Sequence, residues 1–492
     1  MTLATQAVER ACFAYCSKMI VSEEQEEEER CPKPKQHHSR PPSLYLCLLL
    51  FTVLVAALFI VTISSLLTSS PHIDSTHNFD LHFSEIKFPP ERNRNPTLSH
   101  SATFPPSSFT ADLAPPLPPL PQAVIMSEPN IKAVDTTMEE SGPYHNWQLF
   151  VEDFKEMMHN FKIYVYPDAT KQTQSQFDPI FLPHQNPFDP KLGNYFSEHM
   201  FKLSLLQSSL LTLHPQQAHL FFLPFSINLL RNDPRVHSEA SISEFVSQYI
   251  TRIRSDFTFW NASAGANHFY VYCHSVGREA ASKFLDLRNN AIQVTCSSSY
   301  FQRYYVTHKD VALPQVWPRS NDQPLTPPDA RHKLVYFSGR IQNSRIRQEL
   351  IAVWGNDSYM DIFFGSTPFP YEEGFRRSKY CLHVKGYEVN TARVSDSIHY
   401  GCIPVIISNY YDLPFANVLN WSKFSVIINQ GEIAFIKKRL LSITRQMYLD
   451  MYQNLCQVRK HFLWHKTPRG FDSFHMTAYQ LWLRRSMHSL SH

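Results

Sequence analysis

YCLHVKGYEVNTARVSDSIHYGCIPVIISNYYDLPFANVLNW, residues 380–421, reads as strand, loop, helix and strand. Residues 380–384 form a buried strand, and Lys385, Gly386 and Glu388 follow in a loop. A helix is expected from about Asn390, whose side chain can cap it, to residue 400. Arg393 and Asp396 are three apart and share one face near its start. Residues 403–408 then form the next strand. In open sheets built this way, ligands bind outside the carboxyl ends of the strands. Lys385, Glu388 and Arg393 are therefore placed to meet an anionic ligand. A guanidinium can grip phosphate through two parallel hydrogen bonds. The plainer reading of the spacing is an Arg393–Asp396 pair that braces the helix.

The same texture extends outward from about Asn146. Short runs rich in β-branched and aromatic residues predict strands at 161–166, 219–225, 268–273, 292–296, 334–338, 360–364 and 424–428. Helical patterns lie at 344–354, 433–443 and 447–462. Strands alternating with helices imply parallel sheets with crossover helices. The length fits two facing Rossmann-like α/β domains, 146–325 and 326–492, joined near 318–331.

The preceding segments differ. Residues 44–67, LYLCLLLFTVLVAALFIVTISSLL, carry no charge, and about 20 apolar residues cross a bilayer as a helix. Arg30, Lys33, Lys35 and Arg40 precede this run, and no Lys or Arg follows until Lys87. That asymmetry predicts a cytosolic tail at 1–43 and a luminal remainder. Residues 68–145, with PPLPPLP at 115–121, suit an extended stem. Asn261, Asn356 and Asn420 open glycosylation sequons, consistent with a lumen.

The chain has 492 residues and a net charge of +3, which gives no electrostatic case for nucleic-acid binding. Aromatic residues make up 13%, suited to large cores and also to sugar-stacking surfaces. Five Cys follow the apolar run, so at least one is left free or pairs between chains. A Cys273–Cys296 disulfide is expected, because both end predicted strands. No GxGxxG, GxxxxGK[ST] or GxSxG occurs, which argues against dinucleotide oxidoreductases, P-loop enzymes and nucleophile-elbow hydrolases. No DxD pair follows the apolar run either, which favours phosphate neutralisation by Arg, Lys and helix N-termini. His461 and His465 have zinc-ligand spacing, but the glutamate of HExxH is Phe462 here, and packing is the expected role.

The sequence resembles the exostosin-like glycosyltransferases of family 47, plant members most of all, over about 146–485. The resemblance rests on FKIYVY at 161–166, QAHLFFLPF at 217–225, HKDVALP at 308–314, QNSRIRQEL at 342–350, FRRSKYCL at 375–382, GYEV at 386–389, GCIPVIIS at 401–408, LPFANVLNW at 413–421 and FHM at 474–476. It implies a GT-B fold, a type II Golgi membrane protein, and an inverting, metal-independent transfer that uses no cofactor beyond its nucleotide-sugar substrate. By position it implies donor contacts at Gly386, Glu388 and Arg393. Asp396 stands where the family usually has glutamate, and His383, Val384 and Lys385 replace a common Cys-Pro-Ser. Arg345 and Arg347 match basic positions and are candidate diphosphate contacts.

An inverting transfer needs a base for the acceptor hydroxyl. Many members of the family carry Asp-His-Phe and Cys-His-Asp where this chain has Asn267-His268-Phe269 and Cys273-His274-Ser275. His268, His274 and Glu198 are the remaining candidates. The reading is thus a Golgi glycosyltransferase moving a sugar, from UDP-sugar by preference, to a cell-wall polysaccharide or glycan. The alternative is a non-catalytic membrane partner in a complex with other glycosyltransferases. A glycoside hydrolase would need two flanking carboxylates, and no such pair is evident.

Overall fold

The structure, a computed structural model, describes residues 142–167, 189–236, 238–319, 324–342 and 344–485. The tail, the apolar run at 44–67 and all but the end of the stem lie outside the described residues. Among those described, no helix is long and apolar enough to cross a membrane.

Helix α1 (Trp147–Asn160) opens the folded region. The side chain of Asn146 caps it by accepting the Leu149 N–H at 2.9 Å. Its buried Phe150, Val151, Phe154 and Met157 recur at helical spacing and face the core. Six parallel strands follow: β1 (Ile163–Val165), β2 (Leu211–Thr212), β3 (Leu220–Phe222), β4 (His268–Tyr272), β5 (Ile292–Thr295) and β6 (Val311–Ala312). Their order is β2-β1-β3-β4-β5-β6. Side chains alternate across a strand. Phe222, Phe269 and Val271 enter one core layer, while Phe221, Tyr270 and Tyr272 enter the other. Helix α2 (Phe196–Leu205) touches β4, and α3 (Ile227–Asn232) packs on α4 (Glu239–Asp256).

A second parallel sheet contains β7 (Lys333–Ser338), β8 (Met360–Phe363), β9 (Ser378–Val384), β10 (Ile403–Ile407) and β11 (Val426–Ile427), in the order β11-β10-β9-β7-β8. Strand β7 pairs with β8 on one side and β9 on the other. The winding therefore reverses between β7 and β9, which opens a crevice at their carboxyl ends. Helix α5 (Arg345–Trp354) follows β7, α6 (Tyr371–Arg377) precedes β9, and α7 (Arg393–His399) joins β9 to β10.

Every strand expected from the sequence is present. β2 and β6, two residues each, were not expected. The Cys273–Cys296 disulfide is formed and ties the ends of β4 and β5. A second disulfide, Cys381–Cys402, joins β9 to the residue before β10. The two bonds use four of the five Cys considered above, and the fifth, Cys456, is disulfide-bonded as well, so the expected free thiol is not among them.

Two expectations need correction. Helix α7 begins at Arg393, and Asn390 does not cap it: its Nδ2 donates to Gln315 Oε1 at 2.9 Å. The reach to another domain satisfies the amide nitrogen, though Asn390 Oδ1 has no partner among the described residues, and leaves Thr391 Oγ1 to accept the Arg393 N–H. The last helix, α8 (Ser473–Arg484), also leaves the second domain. It packs on α1, α2 and β6. Trp482 Nε1 and Tyr479 Oη donate to the two oxygens of Asp153 at 2.9 and 2.8 Å. Arg484 Nε donates to the carbonyls of Lys309 and Asp310.

Arg331 anchors the amino end of the second sheet. Its buried guanidinium donates to the carbonyls of Phe375, Ser378, Tyr400 and Thr326. Gly401 has φ +71°, and a Cβ there would stand 2.9 Å from Arg331 Nη2. Only glycine meets both demands easily.

Candidate active site

The crevice between β7 and β9 holds two arginines. Arg393, opening α7, donates from Nε to the Ser338 carbonyl at the end of β7, at 2.7 Å. Arg347, in the first turn of α5, donates from Nε and Nη2 to the Val384 carbonyl at the end of β9, at 3.1 and 2.9 Å. Its Nη1 donates to the Arg340 carbonyl at 2.9 Å. Close approach depends on two glycines. A Cβ on Gly339 would lie 2.6 Å from Arg393 Nη2, and one on Gly386 would lie 2.9 Å from Arg347 Nη2. Burial first, then the charge of Arg393, lowers the Arg347 guanidinium to about 10, so it remains a cation near neutrality. The N-terminus of α5 opens on the same crevice, and Ser344 caps it by accepting the Arg347 N–H. Two guanidiniums beside a helix N-terminus are an arrangement that can hold an anion.

Arg345 is exposed, and the structure separates it from buried Arg347. Lys385 is half-buried at the end of β9, where its carbonyl accepts from Ser344 Oγ at 2.8 Å. Asp396 does not pair with Arg393 in a helix brace. It accepts from Arg319 Nη2 at 2.5 Å and from Tyr371 Oη at 3.0 Å. Burial pushes its carboxyl up, and the Arg319 charge and the Tyr371 hydrogen bond oppose that. Asp396 thus fastens α7 to the crossover between domains.

Glu388 faces the other domain. Its Oε2 accepts from Ser297 Oγ and from Gln302 Nε2, the latter at 3.0 Å. Arg278 Nη1 lies 3.8 Å away. Burial alone would raise this carboxyl, but hydrogen bonds from Ser275 and Ser297 and the charge of Arg278 outweigh it and hold it below the usual range. Glu388 Oε1 is buried and has no hydrogen-bond partner among the described residues. A buried carboxylate oxygen without a donor is costly, and a ligand hydroxyl in the cleft would satisfy it.

A hydrogen-bond relay stiffens the loop between these groups. His383 Nε2 donates to the Val389 carbonyl at 2.9 Å, Thr391 Oγ1 donates to His383 Nδ1 at 2.9 Å, and Thr391 Oγ1 accepts the Arg393 N–H at 3.3 Å. Burial lowers His383 to about 3, in keeping with the single tautomer the relay requires. The type of residue 383 gave no sequence signal for this role. Ser297, Gln302 and Arg278 carried none either, since their partner lies in the other domain.

The three candidate bases stand apart. His268 opens β4 at its amino end, away from the cleft, stacked among Tyr166, Phe221 and Trp260. Its Nε2 meets Tyr166 Oη at 2.8 Å, and burial lowers it to about 3. Glu198, buried on α2, accepts from Ser226 Oγ at 2.6 Å and from the N–H groups of Asn228 and Cys273. Burial pushes its carboxyl up against those bonds. It ties α2 to α3 and to the end of β4. His274 does stand at the carboxyl end of β4, half-buried. Its Nδ1 accepts the Val276 N–H at 3.1 Å, so neutral His274 carries its proton on Nε2. Burial, then Arg231, lowers its pKa.

Asn261 and Asn356 are exposed. Asn420 is half-buried and caps the turn at Trp421–Lys423 by accepting the Ser422 N–H. His461 meets Tyr144 Oη through Nε2 and the Phe471 carbonyl through Nδ1, and His465 Nδ1 meets Asp472. Both have packing roles. Among the described residues no group of three or more His, Cys, Asp or Glu is placed to hold a metal.

Two doubly wound parallel sheets, with a crevice lined by two arginines in the second and polar contacts across the cleft, fit the expected GT-B type fold. The Exostosin GT47 domain model matches residues 157–443, and the chain belongs to that family. It is 32% identical over 354 residues to a probable glycosyltransferase of Arabidopsis thaliana, spanning 70% of this chain and 72% of the relative. It is 26% identical to a probable glucuronosyltransferase of Oryza sativa subsp. japonica, spanning 64% and 79%. It is 25% identical to a probable beta-1,4-xylosyltransferase of Arabidopsis thaliana, again spanning 64% and 79%.

Proposed function

We propose that this chain transfers a hexosyl or pentosyl group from a UDP-sugar to a cell-wall polysaccharide or glycan, with inversion and without a metal ion. The observation that carries this reading is the Arg347–Arg393 pair at the β7/β9 crevice. In the transfer the acceptor oxygen bonds to the anomeric carbon as the carbon–oxygen bond to the diphosphate breaks. The electron pair leaves with the diphosphate, and the hydroxyl proton passes to a base on the acceptor side. Negative charge grows on the leaving group, and two fixed guanidiniums meet it there. They supply the cationic charge that a metal ion gives in other transferases. Glu388 Oε1 accepts from a hydroxyl of the donor. Of the three candidate bases, His268 lies at the far end of β4, while Glu198, on the Cys273 N–H, and His274 both lie at its carboxyl end; His274 takes a proton at Nε2 only in the tautomer that gives up the Val276 bond.

The proposed setting is the Golgi membrane, with a single type II span at 44–67 and the folded domains in the lumen. Two disulfides support an oxidising compartment, as do exposed sequons at Asn261 and Asn356.

The test is a thermal-shift screen of the full-length protein against UDP and UDP-sugars, with and without EDTA. A ligand that binds only the native state raises the melting temperature. A shift by UDP that survives EDTA supports this reading, and no shift by any nucleotide sinks it. The engaged states of Glu198 and His274 and the remote place of His268 favour a second reading, a non-catalytic partner in a transferase complex. Co-purification of an active transferase with a chain that binds no nucleotide would select it.

A further inference from the structure

Residues 297–305 of the first domain meet residues 408–412 of the second beside Glu388. The Tyr300 N–H donates to the Tyr410 carbonyl at 2.9 Å, and Ser299 pairs with Tyr411 in an antiparallel bridge. Ser298 Oγ donates to the Asp412 carbonyl at 2.7 Å, and Tyr305 Oη to Asp412 Oδ2 at 2.5 Å. On this braced junction Phe301 and Tyr410 face each other, ring centroids 4.9 Å apart and tilted by 35°. Both rings are open to solvent, Phe301 80% and Tyr410 57% exposed.

The pair is continuous with the candidate site. Phe301 adjoins Gln302, which binds Glu388. Tyr410 lies two residues from Ser408, whose hydroxyl donates to the Val389 carbonyl. Tyr410 also holds φ +65°, a conformation uncommon for a bulky residue. The two-domain hydrogen bonding maintains it and turns the ring outward.

Size and charge narrow the occupant. Two aromatic side chains cover on the order of 300–400 Å², short of the roughly 800 Å² per partner of a stable protein interface. That footprint suits one or two sugar rings, whose C–H faces stack on aromatic faces. Arg303 is the sole charge in 297–304 and 408–411, and its guanidinium lies over the Tyr304 ring. The two rings themselves carry no charge, so what they offer a glycan is stacking on its C–H faces rather than an ion pair.

We infer that Phe301 and Tyr410 form an acceptor subsite that stacks a neutral glycan chain as it enters the cleft beside Glu388. The inference rests on the transferase reading, and the test separates the two. Full-length wild type, the double variant F301A/Y410A and the conservative F301W run on native gels cast with arabinoxylan, xyloglucan or homogalacturonan. UDP thermal shifts are recorded in parallel. Wild type is retarded by a neutral polysaccharide, F301A/Y410A raises the apparent Kd at least tenfold, and F301W retains binding. The UDP shift is the same in all three. The subsite is overturned if wild type is retarded by none of the gels or by homogalacturonan alone, or if the double variant binds like wild type. A change in sedimentation from dimer to monomer in F301A/Y410A overturns it too, making the face a contact between copies. Failure of UDP to shift wild type, with retardation still lost in F301A/Y410A, supports the platform while rejecting the transferase reading.

Discussion

Arg347 and Arg393 share one aromatic neighbour: their guanidinium carbons lie 5.8 and 5.4 Å from the centroid of Phe337. Each also fills a carbonyl at the end of a neighbouring strand. The fold, rather than an acidic partner, therefore holds these like charges close together. Arg393→Ala should leave the melting temperature within a few degrees of wild type. It should abolish the UDP-induced shift and lower transfer by about a hundredfold or more. Normal turnover in this variant would remove Arg393 from the site.

Gly386→Ala tests the same arrangement by crowding. Its Cβ would fall 2.9 Å from Arg347 Nη2 and force the guanidinium off the Val384 carbonyl. UDP affinity should fall about tenfold with little loss of stability. Gly470→Ala meets nothing within 4 Å and serves as the control. Equal UDP titrations for the two variants would show that Arg347 does not contact the ligand.

Arg331→Met should cost about 3 kcal/mol or more, since several buried carbonyls lose their donor together. The urea midpoint should move accordingly, at unchanged slope. A midpoint within error of wild type would mean that water replaces the guanidinium.

Acid should weaken the fold through its buried imidazoles. Burial lowers His268, His383, His399 and His461 to about 3 each. A histidine in the unfolded chain titrates near ~6.5. Below that pH the unfolded state binds more protons, so stability is full above it and falls as pH drops toward 3. Each group contributes at most about 1.4 kcal/mol per pH unit. Urea midpoints from pH 7 to 5 should fall steadily, and His268→Phe should make that fall shallower. An unchanged slope in His268→Phe would mean that His268 is solvated in the native state.

The longer strands were legible because each is a run of apolar residues long enough to show its pattern. The crevice was legible for Gly386 and Arg393, whose placement follows from strand–loop–helix order, and for Arg347 only through the family resemblance, which offered the exposed Arg345 beside it. Glu388 could be located in the cleft, but its partners Ser297 and Gln302 could not, because contacts between domains leave no periodicity. Asp396 met Arg319 rather than the nearer Arg393 for the same reason. His268 and His274 looked alike as histidines beside a strand. A five-residue strand carries them to opposite ends of the sheet, one into an aromatic core and one to the cleft.

Helix α8 closes the core of the first domain although it is the last element described. During synthesis that core waits, with its apolar side open, until the second domain has emerged. A nascent chain halted between the domains would leave Phe201 and its neighbours uncovered, a target for chaperones. The two halves therefore cannot be exchanged between relatives as separate modules, and a stop codon just before Ser473 would disable the opposite domain.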